Sequence, residues 1–238
     1  MNMTNLIKNF YENKPLHWWI KEKWFMWWLY YKFEKFSTDR NDKCVELVKN
    51  IAKKRKIKSI CDIWCSRWEL LKKLEKSIPS LEYISWIDID ENILKEAKSN
   101  IKEWDFYDCD INLPFVLHKK FDLITCMAII EHVFSPEDVV KNISENINKW
   151  WTLIIQVPNI VCITRRIQFL FWNRPRTSWD AWRDGWHIAY FTKKDVIKLF
   201  KDNWFEIEKI TWSWVFAPLR NRWVSMLSPD IICVWVKK

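Results

Sequence analysis

The fold is decided by residues 62–70, which read DIWCSRWEL. Residues 57–63, with isoleucine at positions 57, 60 and 63, have the pattern of a buried strand, and residues 69–76 have the spacing of a helix. A second strand pattern follows at residues 82–87. This order of strand, helix and strand predicts a βαβ unit, in which residues 64–68 form the loop that leads from the first strand into the helix.

The same alternation continues towards the C-terminus. Strand patterns occur at residues 105–107, 121–126, 152–157, 205–210 and 231–236, and helix patterns at 91–100, 136–148 and 193–201. They predict an α/β fold with a mostly parallel sheet, helices on both faces, and ligand sites at the carboxyl ends of the strands. We expect residues 1–55 to form an N-terminal helical cap, and residues 158–191 to form a lid inserted into the main domain of residues 56–238.

The composition is unusual, because the chain has 1 glycine and 20 tryptophans among 238 residues. Globular proteins contain about 7% glycine, so roughly 17 would be expected. Several tryptophans stand where turns favour glycine, as do Trp64 and Trp68 in the first loop and Trp150 before a strand. We therefore hypothesise that the source organism reads the UGA codon as glycine and that most of these tryptophans stand for glycine. The alternative is a non-catalytic, tryptophan-rich interaction protein.

With glycine in place of tryptophan, residues 62–70 read DIGCSRGEL, which resembles the first motif of class I S-adenosylmethionine-dependent methyltransferases. Glycines in such a loop let the backbone approach a ligand, and the following helix N-terminus presents free N–H groups. The resemblance implies S-adenosylmethionine as the cofactor and a Rossmann-like, doubly wound sheet of seven strands. It assigns cofactor contacts to Asp62, Trp64, Cys65, Ser66 and Trp68, although Ser66 replaces a glycine that is usual in the family.

Two further acidic positions resemble the family's nucleoside contacts. Asp88 ends the second strand, where an acid can accept hydrogen bonds from both ribose hydroxyls, and Asp90 is expected to cap the next helix. Asp110 begins DINLPF, which resembles the family's adenine-binding segment with one residue fewer, and Asp108 is the rival acid. The resemblance therefore adds four cofactor contacts: Asp88, Ile89, Asp110 and Ile111.

Residues 121–133, FDLITCMAIIEHV, resemble the fourth strand and the E-H-V signature of the UbiE/UbiG-like and MetW-like methyltransferases. This likeness implies that Met127 lines the methionine part of the cofactor. His132 is interpreted as a general base or as a residue that orients the loop. Because Ala128 replaces a frequent glutamate, no metal site is expected.

Residues 185–192, GWHIAYFT, resemble the family's acceptor side. His187 and Tyr190 are expected to border the acceptor pocket, or else to brace the lid. The lid also carries an amphipathic stretch at residues 165–171, and its arginines are candidates for holding an anionic substrate. The candidate catalytic residues are therefore His132, His187 and Tyr190.

The predicted function is methyl transfer to an oxygen or carbon of a small-molecule, lipid or glycan acceptor. The net charge of +9 keeps an RNA acceptor as an alternative, and an NAD-type Rossmann oxidoreductase shares the glycine loop and ribose acid. We expect no transmembrane segment and a cytoplasmic location, since the seven scattered cysteines have the pattern of buried, reduced thiols. The sequence leaves the oligomeric state open.

Overall fold

A computed structural model describes residues 40–63, 69–101, 104–177, 184–213 and 223–238. The cofactor contacts predicted at Trp64, Cys65, Ser66 and Trp68 lie outside the described residues. So does most of the predicted helical cap, of which residues 40–55 are described.

One seven-stranded sheet organises the described residues. Its strands are β1 (Ser59–Ile63), β2 (Tyr83–Asp88), β3 (Asp105–Asp108), β4 (Phe121–Met127), β5 (Ile147–Pro158), β6 (Phe205–Thr211) and β7 (Asp230–Lys237). Their spatial order is β3-β2-β1-β4-β5-β7-β6. Neighbouring strands from β3 to β5 are parallel, and β7 is antiparallel to both β5 and β6. The predicted Rossmann-like, mostly parallel α/β fold with seven strands is confirmed.

Helices precede or connect the strands. They are α1 (Arg40–Ala52), α2 (Glu69–Ser77), α3 (Glu91–Asn100), α4 (Pro136–Asn146), α5 (Ile163–Leu170), α6 (Lys193–Lys201) and α7 (Val224–Leu227). The predicted cap of α3 is confirmed, because the Asp90 side chain accepts hydrogen bonds from the backbone N–H groups of Asn92 and Ile93. Within the described ranges, no helix combines the length and apolar character needed to cross a bilayer.

The predicted bounds of α4 and β5 were wrong. The helix ends at Asn146 rather than near residue 148, and the strand begins at Ile147 rather than at Thr152. Ile147 pairs with Phe121 at the start of β4, and the register then shifts before Thr152. The intervening residues form a bulge, a local irregularity that a strand pattern read from periodicity does not reveal.

The core lies on both faces of the sheet. Along β4, Ile124 and Cys126 belong to one buried apolar cluster, whereas Leu123 and Met127 belong to the other. All seven residues of β4 are buried. Such burial is typical of a parallel strand covered by helices on both sides, and it explains why five of the seven residues of this strand are apolar.

The backbone adopts left-handed conformations at several tryptophans. Among the described residues, seven that are not glycine have positive φ, and five of these are tryptophans with φ between 50 and 68°: Trp150, Trp172, Trp186, Trp204 and Trp223. The structure describes ten of the 20 tryptophans. Half of these ten therefore have a left-handed backbone, which glycine adopts readily and a bulky side chain disfavours.

Candidate active site

The carboxyl ends of β1, β2 and β4 meet at the point where the strand order reverses, between β1 and β4. Ile63 pairs with Ile87 on one side and with Cys126 on the other, so these strand ends are adjacent. Ligands of open α/β sheets bind in the crevice that opens at such a reversal. The predicted cofactor residues that the structure describes lie at or just beyond the carboxyl ends of β1, β2, β3 and β4.

Asp62 is buried near the end of β1. Its Oδ1 accepts a hydrogen bond of 2.5 Å from the Thr125 hydroxyl of β4. This contact joins the two central strands near the carboxyl end of β1. Asp62 therefore has a positioning role in the fold, beside the cofactor contact that the sequence predicts for it.

Asp88 is the last residue of β2, and only 1% of this residue is exposed to solvent. Its Oδ1 accepts the backbone N–H of Asp90 at 3.0 Å, whereas its buried Oδ2 has no hydrogen-bond partner in the described part of the chain. Burial raises the pKa of Asp88 from 3.8 to about 7, although the N–H of Asp90 acts in the opposite direction. A buried carboxylate oxygen without a donor is costly, and a ligand hydroxyl would supply one.

A small cavity adjoins Asp88. It is lined by residues that follow β2 and β3, namely Ile87, Asp88, Ile89, Cys109, Asp110, Ile111 and Asn112. Four of these are the predicted nucleoside contacts. Asp110 is held in a turn, because its Oδ1 accepts the backbone N–H and the side-chain amide of Asn112, both at 2.9 Å. The structure thus places Asp110 in the same cavity as Asp88, whereas its rival Asp108 ends β3.

Met127, the last predicted cofactor contact, ends β4 and is 2% exposed. It packs in the apolar cluster on one face of the sheet. Ala128 follows with φ of 63°, which turns the chain sharply out of the strand. The turn leads into the 3-10 segment Ile130–His132.

The three predicted catalytic residues lie together beyond this turn. The rings of His132 and His187 are 4.8 Å apart, and that of Tyr190 is 6.3 Å from His187. Backbone N–H groups of Ile188 and Ala189 bind the carbonyl of Glu131 at 2.8 and 3.0 Å. The end of the lid is thereby attached to the segment after β4.

Glu131 is a buried acid that sequence reasoning did not single out. Neither of its carboxyl oxygens has a hydrogen-bond partner among the described residues, and Oε1 lies 3.9 Å from Nε2 of His187. Burial raises the pKa of Glu131 to about 8. One ligand atom each from Glu131, His132 and His187 falls within 4.8 Å of the others, so a shared proton or a cation could lie among them. In the sequence, Glu131 was indicated only by its position as a single acid within an apolar run.

A polar chain fixes the ring of His187. The buried carboxylate of Asp184 accepts the backbone N–H of Thr177 at 2.6 Å and its hydroxyl at 2.7 Å. Since that hydroxyl has one proton, its contact of 2.5 Å with Nδ1 of His187 requires Nδ1–H to be the donor. Nε2 of the neutral ring is then left as a proton acceptor. Burial lowers the pKa of His187, which favours this neutral form.

Sequence comparison identifies relatives of this chain. A family model described as "Methyltransferase domain" matches residues 36–210. The ubiquinone biosynthesis O-methyltransferase of Coxiella burnetii (strain RSA 493 / Nine Mile phase I) is 29% identical over 89 residues. That alignment covers 36% of this chain and 37% of the relative, so the chain matches little more than a third of the length of such curated relatives.

Solved structures share the fold at low sequence identity. An S-adenosylmethionine-dependent methyltransferase from Clostridium acetobutylicum ATCC 824 has a TM-score of 0.61 and 13% identity, covering 89% of this chain and 97% of its own. The N-methyltransferase NodS from Bradyrhizobium japonicum WM9, in complex with S-adenosyl-l-homocysteine, has a TM-score of 0.56 and 12% identity, covering 87% and 97%. These likenesses establish the common architecture.

Proposed function

The chain belongs to the methyltransferase-domain family, and from this premise we propose that it transfers a methyl group from S-adenosylmethionine to a small-molecule, lipid or glycan acceptor. An oxygen or carbon atom is the proposed methyl acceptor. The observation that carries the proposal is the buried Oδ2 of Asp88, which has no hydrogen-bond partner among the described residues and lies beside a cavity at the end of β2.

The residues around this cavity suit a nucleoside. The free oxygen of Asp88 can accept a ribose hydroxyl, and Oδ1 has a further lone pair beyond its bond to the N–H of Asp90. Ile89 and Ile111 offer apolar surface to an adenine ring, and Asp110 lies at the same cavity to accept its amino group. Asp62, Met127 and the first loop complete the proposed cofactor contacts.

When bound, S-adenosylmethionine supplies an activated methyl group, so the protein mainly has to align the acceptor and exclude water. We assign proton removal from a hydroxyl acceptor to Nε2 of His187. The Asp184–Thr177 pair holds the ring with Nδ1–H directed at Thr177 and leaves Nε2 able to accept. His132 and Tyr190 border the acceptor, and their rings pack edge-on against His187.

The recoding hypothesis is part of this proposal. Tryptophan at positions 64 and 68 would fill the loop that should approach the cofactor, whereas glycine would leave it open. Positive φ at Trp150, Trp186 and Trp204 supports glycine at those positions. UGA codons there, with glycine in peptides of the native protein, are the expected result; UGG codons would refute the hypothesis.

Calorimetry tests the function. The protein made with glycine at its UGA positions, hereafter the glycine-decoded protein, should bind S-adenosylmethionine and S-adenosylhomocysteine but not NAD. The same chain with tryptophan at 64 and 68 is the matched control, and it should bind neither methyl-donor compound. Binding of NAD instead would support an oxidoreductase, and binding of no nucleoside would contradict both enzyme assignments.

A cytoplasmic location belongs to the proposal as well. Six described cysteines are free thiols, and five of them are buried. Reduced thiols are expected in a compartment that keeps glutathione reduced.

A further inference from the structure

Helix α5 of the lid has an orientation unusual for a helix of a globular domain. Ile163, Ile167 and Leu170 follow each other at i, i+4 and i+7, which places them on one face, and they are 39, 47 and 73% exposed. Phe169 and Phe171 beside them are 73 and 68% exposed. An apolar stripe normally faces the core, so this helix presents to solvent the face that should be covered.

A buried arginine holds the helix in this orientation. Arg165, which is 7% exposed, directs its guanidinium inwards to backbone carbonyls. Its Nε binds the carbonyl of Arg176 at 2.9 Å, and Nη1 binds that of Pro229 at 2.8 Å and that of Asn159. These bonds link α5 to the ends of β5 and β7. Rotating the helix to bury its apolar stripe would break these three hydrogen bonds and leave the three carbonyls without the arginine donor.

The charge around the stripe identifies what would cover it. Arg166, Arg174 and Arg176 are exposed. Residues 159–179 include four arginines, no lysine and no acid. An exposed apolar surface flanked by arginines fits the boundary between lipid headgroups and acyl chains, where arginine meets phosphate. The net charge of +9 adds to this attraction.

We propose that α5 and the residues after it, Ile163 to Arg176, form a surface that binds an anionic lipid bilayer. The same segment reaches the candidate active site, because Arg165 holds the carbonyl of Arg176 and the next residue, Thr177, contacts His187. The membrane would therefore lie beside the acceptor side of the site. This favours a lipid-soluble acceptor, a refinement that rests on the proposed function, whereas bilayer binding itself does not.

Vesicle co-sedimentation of the full chain tests the proposal. With vesicles of phosphatidylcholine and phosphatidylglycerol, the protein should sediment, and it should do so less at high salt or with phosphatidylcholine alone. The double variant F169E/L170E should bind at least about tenfold more weakly, because two apolar contacts are replaced by charges that anionic lipid repels. The matched control is V116E, since Val116 is 85% exposed in the loop before β4.

The control should bind the vesicles as the unchanged protein does. The proposal is overturned if the unchanged protein ignores anionic vesicles, or if F169E/L170E and V116E bind equally well. It is also overturned if light scattering shows a dimer that F169E/L170E dissociates, because the stripe would then be covered by a second copy. Calorimetry of F169E/L170E with S-adenosylmethionine should give unchanged affinity, so a failure of vesicle binding and a failure of the proposed function are separate results.

Discussion

Replacing Asp88 by asparagine changes one buried group at the end of β2 and should abolish most of the affinity for the cofactor. One carboxylate oxygen accepts the N–H of Asp90, and the other has no partner in the part of the chain that the structure describes. Hydrogen bonds to a charged group contribute about 1.5–3 kcal/mol each. If two ribose hydroxyls bind and asparagine keeps a weaker version of one contact, the loss is about 3 kcal/mol, or roughly 150-fold in Kd.

The assay is calorimetry of S-adenosylhomocysteine binding to the glycine-decoded protein and its D88N variant at pH 8. The expected loss of affinity does not come from unfolding of the D88N variant. Since burial raises the pKa of Asp88 from 3.8 to about 7, ionisation opposes folding as the pH rises through this range. Asparagine removes that cost, so the Tm of unliganded D88N at pH 8 should equal or exceed that of the unchanged protein. Equal Kd values for the two proteins would refute the ribose assignment.

Three further predictions concern protonation, the polar chain and the core. Because the pKa of Asp88 is about 7, about a tenth of the carboxyl groups are ionised at pH 6 and about nine tenths at pH 8. Cofactor affinity measured by calorimetry should therefore rise about tenfold from pH 6 to pH 8. A flat profile of affinity against pH would contradict this. T177V should lower kcat by about ten- to a hundredfold and alter its pH profile. T177S should restore both, because serine keeps the hydroxyl between Asp184 and His187. Equal rates in the two variants would exclude a role of this hydroxyl in catalysis. Ile124 is fully buried in β4, so I124A should lower the free energy of unfolding by about 2–5 kcal/mol in urea titration, and a loss below about 1 kcal/mol would place this side chain outside a well-packed core.

The sequence predicted the strand ends well, because parallel strands covered on both faces are apolar and their following loops are not. Asp88 and Asp110 stood at such loops, and the structure brings both to one cavity. Asp90 as a helix cap also followed from local chemistry, since a short acid before a helix satisfies its free N–H groups.

The polar chain could not be predicted in the same way. Thr177 and Asp184 lie on the lid, and the contact with His187 depends on how that segment folds back over the sheet. Glu131 was visible as part of the E-H-V signature, but its burial comes from packing after the turn at Ala128. The exposed stripe of α5 is another such case, because periodicity shows that a helix has an apolar face without showing which way it points.

A crystal structure of the glycine-decoded protein with S-adenosylhomocysteine tests the central claim most directly. We predict the ribose hydroxyls within hydrogen-bond distance of the Asp88 carboxylate and the adenine ring between Ile89 and Ile111. A nucleoside bound away from the ends of β1, β2 and β4, or an Asp88 carboxylate that contacts only protein atoms, would contradict the account.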